Sequence, residues 1–301
     1  MSATAEQRQR YSAALLWLLA GLTLAWGFNW TAMKVALSEI PPLLFRSLCL
    51  GFGSAVLFGM LRVGGQPLAV PKGQWGRLIL LAIFNVTGWN VLVAFGVTMI
   101  ASGRAAILAF TMPAWATALA VWLLGEHLSG RKLTGLLLGM AGIALLLGQG
   151  AVDLKAAPLG AMLVLGGALS WALGTVLLKR YPVNMPVAAC TAWIMLLGSV
   201  PIVIGALLFE DPRALAGVTL WPALAVLYNV LVAFAFAQWA WLKLASLLPV
   251  SVSTLSTLMI PVVGVLCGML FLGERPGWTE FAALALVFGS LLTVMLPQQR
   301  V

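Results

Sequence analysis

Charge is scarce in this chain. Only 8 acidic residues, 17 basic residues and one histidine occur among 301 positions, while 62% of the residues are hydrophobic. A soluble domain of this length could not hide so much apolar surface from water. The acids (Glu6, Glu39, Glu126, Asp153, Glu210, Asp211, Glu274 and Glu280) stand at the edges of apolar runs, in the joints between them or in the N-terminal tail. None sits near the middle of a run, so a membrane-buried carboxylate that could carry protons is missing. Walker A, HExxH, GxSxG and Cys-pair metal motifs are absent, which excludes ATP hydrolysis by this chain alone and argues against proteolysis and metal chemistry. The lone histidine, His127, falls in a predicted loop, and Cys49, Cys190 and Cys267 fall inside apolar runs, as packing residues do. No enzyme activity, cofactor or metal ligand is expected.

Apolar runs fill most of the chain. A lipid-spanning helix needs about 20 apolar residues, and ten such runs are predicted at 12–35, 41–62, 76–98, 103–124, 132–149, 158–178, 185–208, 220–242, 250–272 and 278–296. The first is too long for a signal-peptide core and reads as an uncleaved span. Short joints rich in Gly, Pro and charge separate the runs. The net charge of +9 and pI near 10.1 therefore mark loop anchors in a bilayer, and no nucleic acid partner is expected. The fold class is an all-α membrane protein.

The chain also repeats itself. Trp26 and Lys34 recur as Trp171 and Lys179, and Pro41 recurs as Pro186, at an offset of 145. Phe84-Asn85-Val86 matches Tyr228-Asn229-Val230, and Pro113 and Glu126 match Pro261 and Glu274. The halves, 1–150 and 151–301, thus hold five spans each, and an odd number inverts the second half. Charge orients the whole. With the N-terminus in the cytoplasm, Arg8, Arg10, Arg62, Lys72, Arg77, Arg131, Lys132, Lys179, Arg180, Lys243 and Arg300 lie inside. Only Lys34, Arg104, Lys155, Arg213 and Arg275 lie outside. That bias places both termini in the cytoplasm.

Inverted repeats characterise secondary transporters, in which two halves rock about a site near the bilayer midplane. Polar and aromatic residues at that depth are the candidate substrate-binding groups: Trp26, Asn29 and Trp30; Asn85 and Trp89; Thr111 and Trp115; Trp171; Asn229 and Trp239; and Thr257. Thr87 and Asn90 stand on a neighbouring face of the third span, and Tyr228 and Gln238 accompany Asn229 and Trp239 in the eighth. An apolar cavity with a few oriented polar groups suits a small amphipathic molecule. The competing reading is structural: hydroxyls bond their own helix, and Asn joins helices. Pro113 and Pro261 each remove a backbone bond near mid-span, freeing the carbonyls of Ala109 and Thr257, and are the candidate gating hinges. Arg46 lies within the second span, where it either snorkels to the interface or holds a substrate carboxylate at the outer mouth.

WGFNWTAMK (Trp26 to Lys34), WALGTVLLKR (Trp171 to Arg180), Pro113 through Gly125-Glu126 with Leu128, Gly135, Gly139 and Gly142, and Pro261 through Gly273-Glu274 occur in this order. Along its whole length the chain resembles the drug/metabolite transporter superfamily, EamA type. Ala283, Val287 and Ser290 depart from the glycines of the first half. The resemblance implies a basket of ten helices around a central cavity, with the fifth and tenth spans peripheral, in a bacterial inner membrane. It also implies export of metabolites without ATP, most like the bacterial aromatic amino acid exporters. The expected partners are a small-molecule substrate (amino acids or similar metabolites) and the lipid bilayer, for a monomer or a homodimer. Efflux of cationic drugs is the alternative and calls for a buried carboxylate. A non-transporting receptor or assembly protein is another, and predicts no solute flux.

Overall fold

The computed structural model describes residues 2–99, 108–148, 158–250 and 278–295, with isolated positions between 252 and 270. Among the described residues the chain is wholly helical. Its helices are α1 (Ser2–Ala36), α2 (Pro42–Val63), α3 (Trp75–Ala82), α4 (Trp89–Met99), α5 (Met112–Leu124), α6 (Gly130–Gly148), α7 (Pro158–Arg180), α8 (Val187–Phe209), α9 (Leu220–Tyr228), α10 (Ala237–Leu247) and α11 (Trp278–Met295). Segments of π-helix, Ile83–Gly88 and Asn229–Phe236, fuse α3 to α4 and α9 to α10. Among the described residues, six continuous stretches, against ten expected from the sequence, are long and apolar enough to cross a membrane: Ala14–Met33, Pro42–Val63, Trp75–Gly96, Pro158–Arg180, Val187–Phe209 and Leu220–Leu247. At 1.5 Å per residue, about 20 residues match the roughly 30 Å hydrocarbon layer.

Several boundaries differ from the sequence reading. Helix α1 extends back through the polar tail to Ser2, and the eighth span continues to Leu247. Pro113 does not kink a continuous helix. The chain turns at Phe110–Thr111, and Pro113 sits in the first turn of α5, where its missing N–H leaves no bond unmade. Pro201 is the proline inside a helix, α8. Near this weakened stretch the Thr87 hydroxyl donates to the Gly198 carbonyl at 2.9 Å. Pro261 lies outside the described residues.

Helix α2 packs on α8, α4 and α5 pack on α7, and α1 packs on α9, α10 and the second π segment. Helices α6 and α11 pair at the side. There the buried Ser290 hydroxyl donates to the Gly135 carbonyl at 2.5 Å, so the serine in the second half faces the glycine of the first. Large apolar side chains such as Trp17, Trp122 and Phe209 point outward, as a lipid-facing surface requires.

The joints explain the charged motif residues. Gly125 closes α5 with φ +67°, a left-handed cap that glycine adopts without steric cost. The Arg180 side chain donates to the Leu123 carbonyl at the same helix end (2.6 Å), and Lys179 donates to Ser246 at the end of α10 (2.8 Å). Cations suit helix C-termini. Acids serve the opposite ends. Glu210 accepts from Leu43 and Leu44 N–H at the start of α2 (2.9 and 2.7 Å), and Glu39 accepts from the N–H and hydroxyl of Thr219 before α9 (2.7 Å each). Glu126 accepts from Val250 N–H at 2.8 Å. Each of these carboxylate bonds joins one half of the chain to the other.

Candidate functional site: a central polar cavity

A cavity of about 110 Å³ lies between α1, α2, α4, α5, α7 and the two π segments, with Thr257 and Ile260 completing its wall. A single water needs about 10–15 Å³ on this measure, so the space suits a small metabolite. Its wall is mostly apolar, with polar groups from both halves: Asn29, Asn85, Asn90, Gln238, Thr257 and Arg46.

The two π segments set the register of this wall. A π turn brings the residue five on, rather than four, to the same face. Asn85 and Asn90 are five apart across the first segment, and both reach the cavity. A π turn also loosens backbone carbonyls, which in a membrane interior must find donors. Foreign side chains supply them. Ser170 Oγ donates to the Phe84 carbonyl (2.8 Å), and Trp26 Nε1 donates to the Ala233 carbonyl (3.0 Å). The Asn90 and Asn229 amides donate to the carbonyls of Val86 and Ala225, four residues back (2.8 and 2.9 Å).

Tryptophans form the aromatic side. Trp171 stands edge-on to Trp26 (5.5 Å between ring centroids) and to Trp89 (4.9 Å), and Trp241 lies 6.0 Å from both Trp26 and Trp171. Edge-to-face pairs of this kind add about 0.5–1.5 kcal/mol beyond burial, so the cluster is stiff. The same wall carries polar atoms with unmet capacity. The buried Oδ1 atoms of Asn29, Asn85 and Asn90 and the buried Nε2 of Gln238 and Nε1 of Trp171 have no hydrogen-bond partner among the described residues. Buried polar groups are usually paired, and a group without a partner calls for an explanation.

Trp26, Asn29, Asn85, Trp89, Trp171 and Thr257 are thus brought to one cavity, while four other nominated residues stand away from it. Asn229 is fully buried against its own helix, with its amide on Ala225. Thr111 donates to Leu108 and accepts from Trp115 Nε1, and Trp115 is 41% exposed. Trp239 packs near Phe236, 6.2 Å between centroids. The Trp30 side chain lies outside the described residues. Asn90, Gln238, Met33 and Phe234 also line the wall. Asn90 and Gln238 were legible as mid-span amides, but their face depends on the π turns.

Comparison with known proteins agrees with this architecture. The model of the EamA-like transporter family matches residues 12–148 and again 158–296. The chain is 28% identical to the uncharacterized transporter YoaV of Bacillus subtilis, covering 85% of this chain and 88% of that one. It is 25% identical to a probable amino-acid metabolite efflux pump of Salmonella typhimurium (90% and 91% covered). Identity is also 25% to the uncharacterized inner membrane transporter YedA of Escherichia coli (96% and 93% covered). A solved crystal structure superposes with a TM-score of 0.81 at 20% identity, over 94% of this chain and 97% of that one, and has the same fold.

Proposed function

The chain belongs to the EamA-like transporter family, and from that premise we propose that it exports small amphipathic metabolites, aromatic and other neutral amino acids first among them, across a bacterial inner membrane. The observation that carries this reading is the cavity itself, whose wall combines tryptophans with amide groups left without a partner among the described residues. The apolar wall takes an aromatic or aliphatic side chain, and the amides orient the polar end. The relative named as a probable amino-acid metabolite efflux pump supports the substrate class, and the relative named an inner membrane transporter supports the location.

The halves are read as inverted five-helix repeats that exchange access by rocking about the cavity, with both termini in the cytoplasm. Paired contacts support this arrangement. Glu39 with Thr219 and Asn184 with Gln74 occupy positions related by the offset of 145, and each pair is joined by a hydrogen bond. So are Ser170 with Phe84 and Ala25 with Tyr228, at offsets of 145 and 144. The Phe110–Thr111 turn beside Pro113 supplies the bending point of the first half, and Pro261 is its counterpart in the second.

Among the described charged residues only Arg46 lines the cavity, and no described acid does. Cationic compounds would therefore meet a like charge, which favours amino acids over cationic drugs. With no titratable acid at the site among the described residues, flux is expected to follow the substrate gradient. The test is uptake of radiolabelled amino acids and cationic dyes into liposomes containing the purified protein, with and without a pH gradient at zero membrane potential. Saturable amino acid flux that is indifferent to the pH gradient is expected. Dye flux alone, or no flux at all, would refute the proposal.

A further inference from the structure

We propose that Arg46 is the carboxylate anchor of the cavity, so that the site selects substrates bearing a carboxylate and rejects the corresponding amines. This rests on the transport reading above and narrows its substrate class. Arg46 is only 9% exposed and lines the cavity, so it does not snorkel to water. An arginine carries five N–H donors and stays charged. Here its Nη2 donates to the Met33 sulfur at 3.2 Å, a weak acceptor, and its guanidinium lies 5.5 Å and 5.8 Å from the Phe45 and Phe234 ring centres. No carboxylate pairs with it among the described residues. A buried, uncompensated cation is expensive in a membrane interior and marks a binding function.

Two of its nearest partners, Met33 and Phe234, are themselves cavity-lining, so the guanidinium borders the space a substrate would enter. A carboxylate offers the planar pair of acceptors that a guanidinium fork takes. The rest of the wall complements an amino acid. The unpaired oxygens of Asn29, Asn85 and Asn90 are acceptors for an ammonium group, and the tryptophan cluster takes the side chain. An amine lacking the carboxylate would place a second cation beside Arg46 with nothing to offset it.

The test is counterflow of radiolabelled phenylalanine in liposomes, with unlabelled phenylalanine or phenethylamine as competitor. For the wild-type protein phenethylamine should compete roughly 10- to 100-fold more weakly, the effect of losing a hydrogen bond to a charged group. Arg46→Gln should weaken phenylalanine by a similar factor and erase the preference, while Arg46→Lys should restore it in part. Equal competition by the two compounds in wild type, or an undiminished preference in Arg46→Gln, would overturn the assignment and leave amino acid transport standing. The wild-type ratio decides the matter even if a variant fails to fold. Absence of any phenylalanine or other neutral amino acid flux would instead bring down the transport reading, and the anchor with it.

Discussion

Replacing Asn85 by Leu should make the protein more stable and less active. Asn85 is 2% exposed in the first π segment, and its Oδ1 has no partner among the described residues. Its side chain lies directly against Gly174, where an added methyl group would collide with it, so it cannot swing away to find one. A buried acceptor left unpaired costs about 1–3 kcal/mol. Leucine has a similar volume and no polar atom, so the exchange removes that cost with little repacking. The net gain should be about 1–2 kcal/mol, which at roughly 2–4 °C per kcal/mol is a rise of several degrees in Tm. Transport should move the other way, falling about tenfold or more if Asn85 receives a charged donor from the substrate. The assay pairs thermal unfolding of the purified protein with liposome flux of the same preparation. A lower Tm with normal flux would show that Asn85 is merely a joint between helices.

Four further outcomes are expected. Glu210→Ala removes the acceptor of two N–H groups at the start of α2 and should cost about 1–2 kcal/mol, read as a lower Tm that Glu210→Gln partly recovers. The Thr219 N–H and then its hydroxyl hold the Glu39 carboxyl below its ordinary 4.5. A depressed folded pKa gives stability that is complete above the ordinary value and lost as pH falls through the folded one. Wild type should therefore exceed Glu39→Gln in stability at neutral pH, with the gap closing below about pH 4.5 in an acid titration; a gap that ignores pH would refute this. Single cysteines placed in 125–131 and in 273–277, in a background lacking Cys49, Cys190 and Cys267, should label from the cytoplasmic and outer sides respectively, and labelling from one side would end the inverted arrangement. Pro113→Ala, which allows the helix to run on through the Phe110–Thr111 turn, and Pro261→Ala should shift cysteine accessibility at the two cavity mouths in opposite senses, whereas equal or absent shifts would leave both prolines as packing residues.

Much was determined by the sequence alone, because in a bilayer the main constraint is local. A run of about 20 apolar residues has one low-energy conformation in lipid, so six of the expected spans and the placement of Glu39, Glu126 and Glu210 at helix ends could be read directly. The tryptophans and amides at matched depth were also legible, since polar groups are costly there; Trp26, Asn29, Asn85, Trp89, Trp171 and Thr257 meet at one cavity. Tertiary structure decided what an ideal helix period hides. The π turns carry Asn90 onto the face of Asn85, and Asn229, the repeat counterpart of Asn85, spends its amide on Ala225 instead. Edge position said nothing of Glu39, Glu126 and Glu210 as caps on helices of the opposite half, because those contacts span more than 120 residues. Arg46 is the clearest case. Its sequence neighbours allowed a route to the interface, and only the packing of Met33, Phe45 and Phe234 around it encloses the charge beside the cavity, because burial is a property of what surrounds a side chain and not of the chain that carries it.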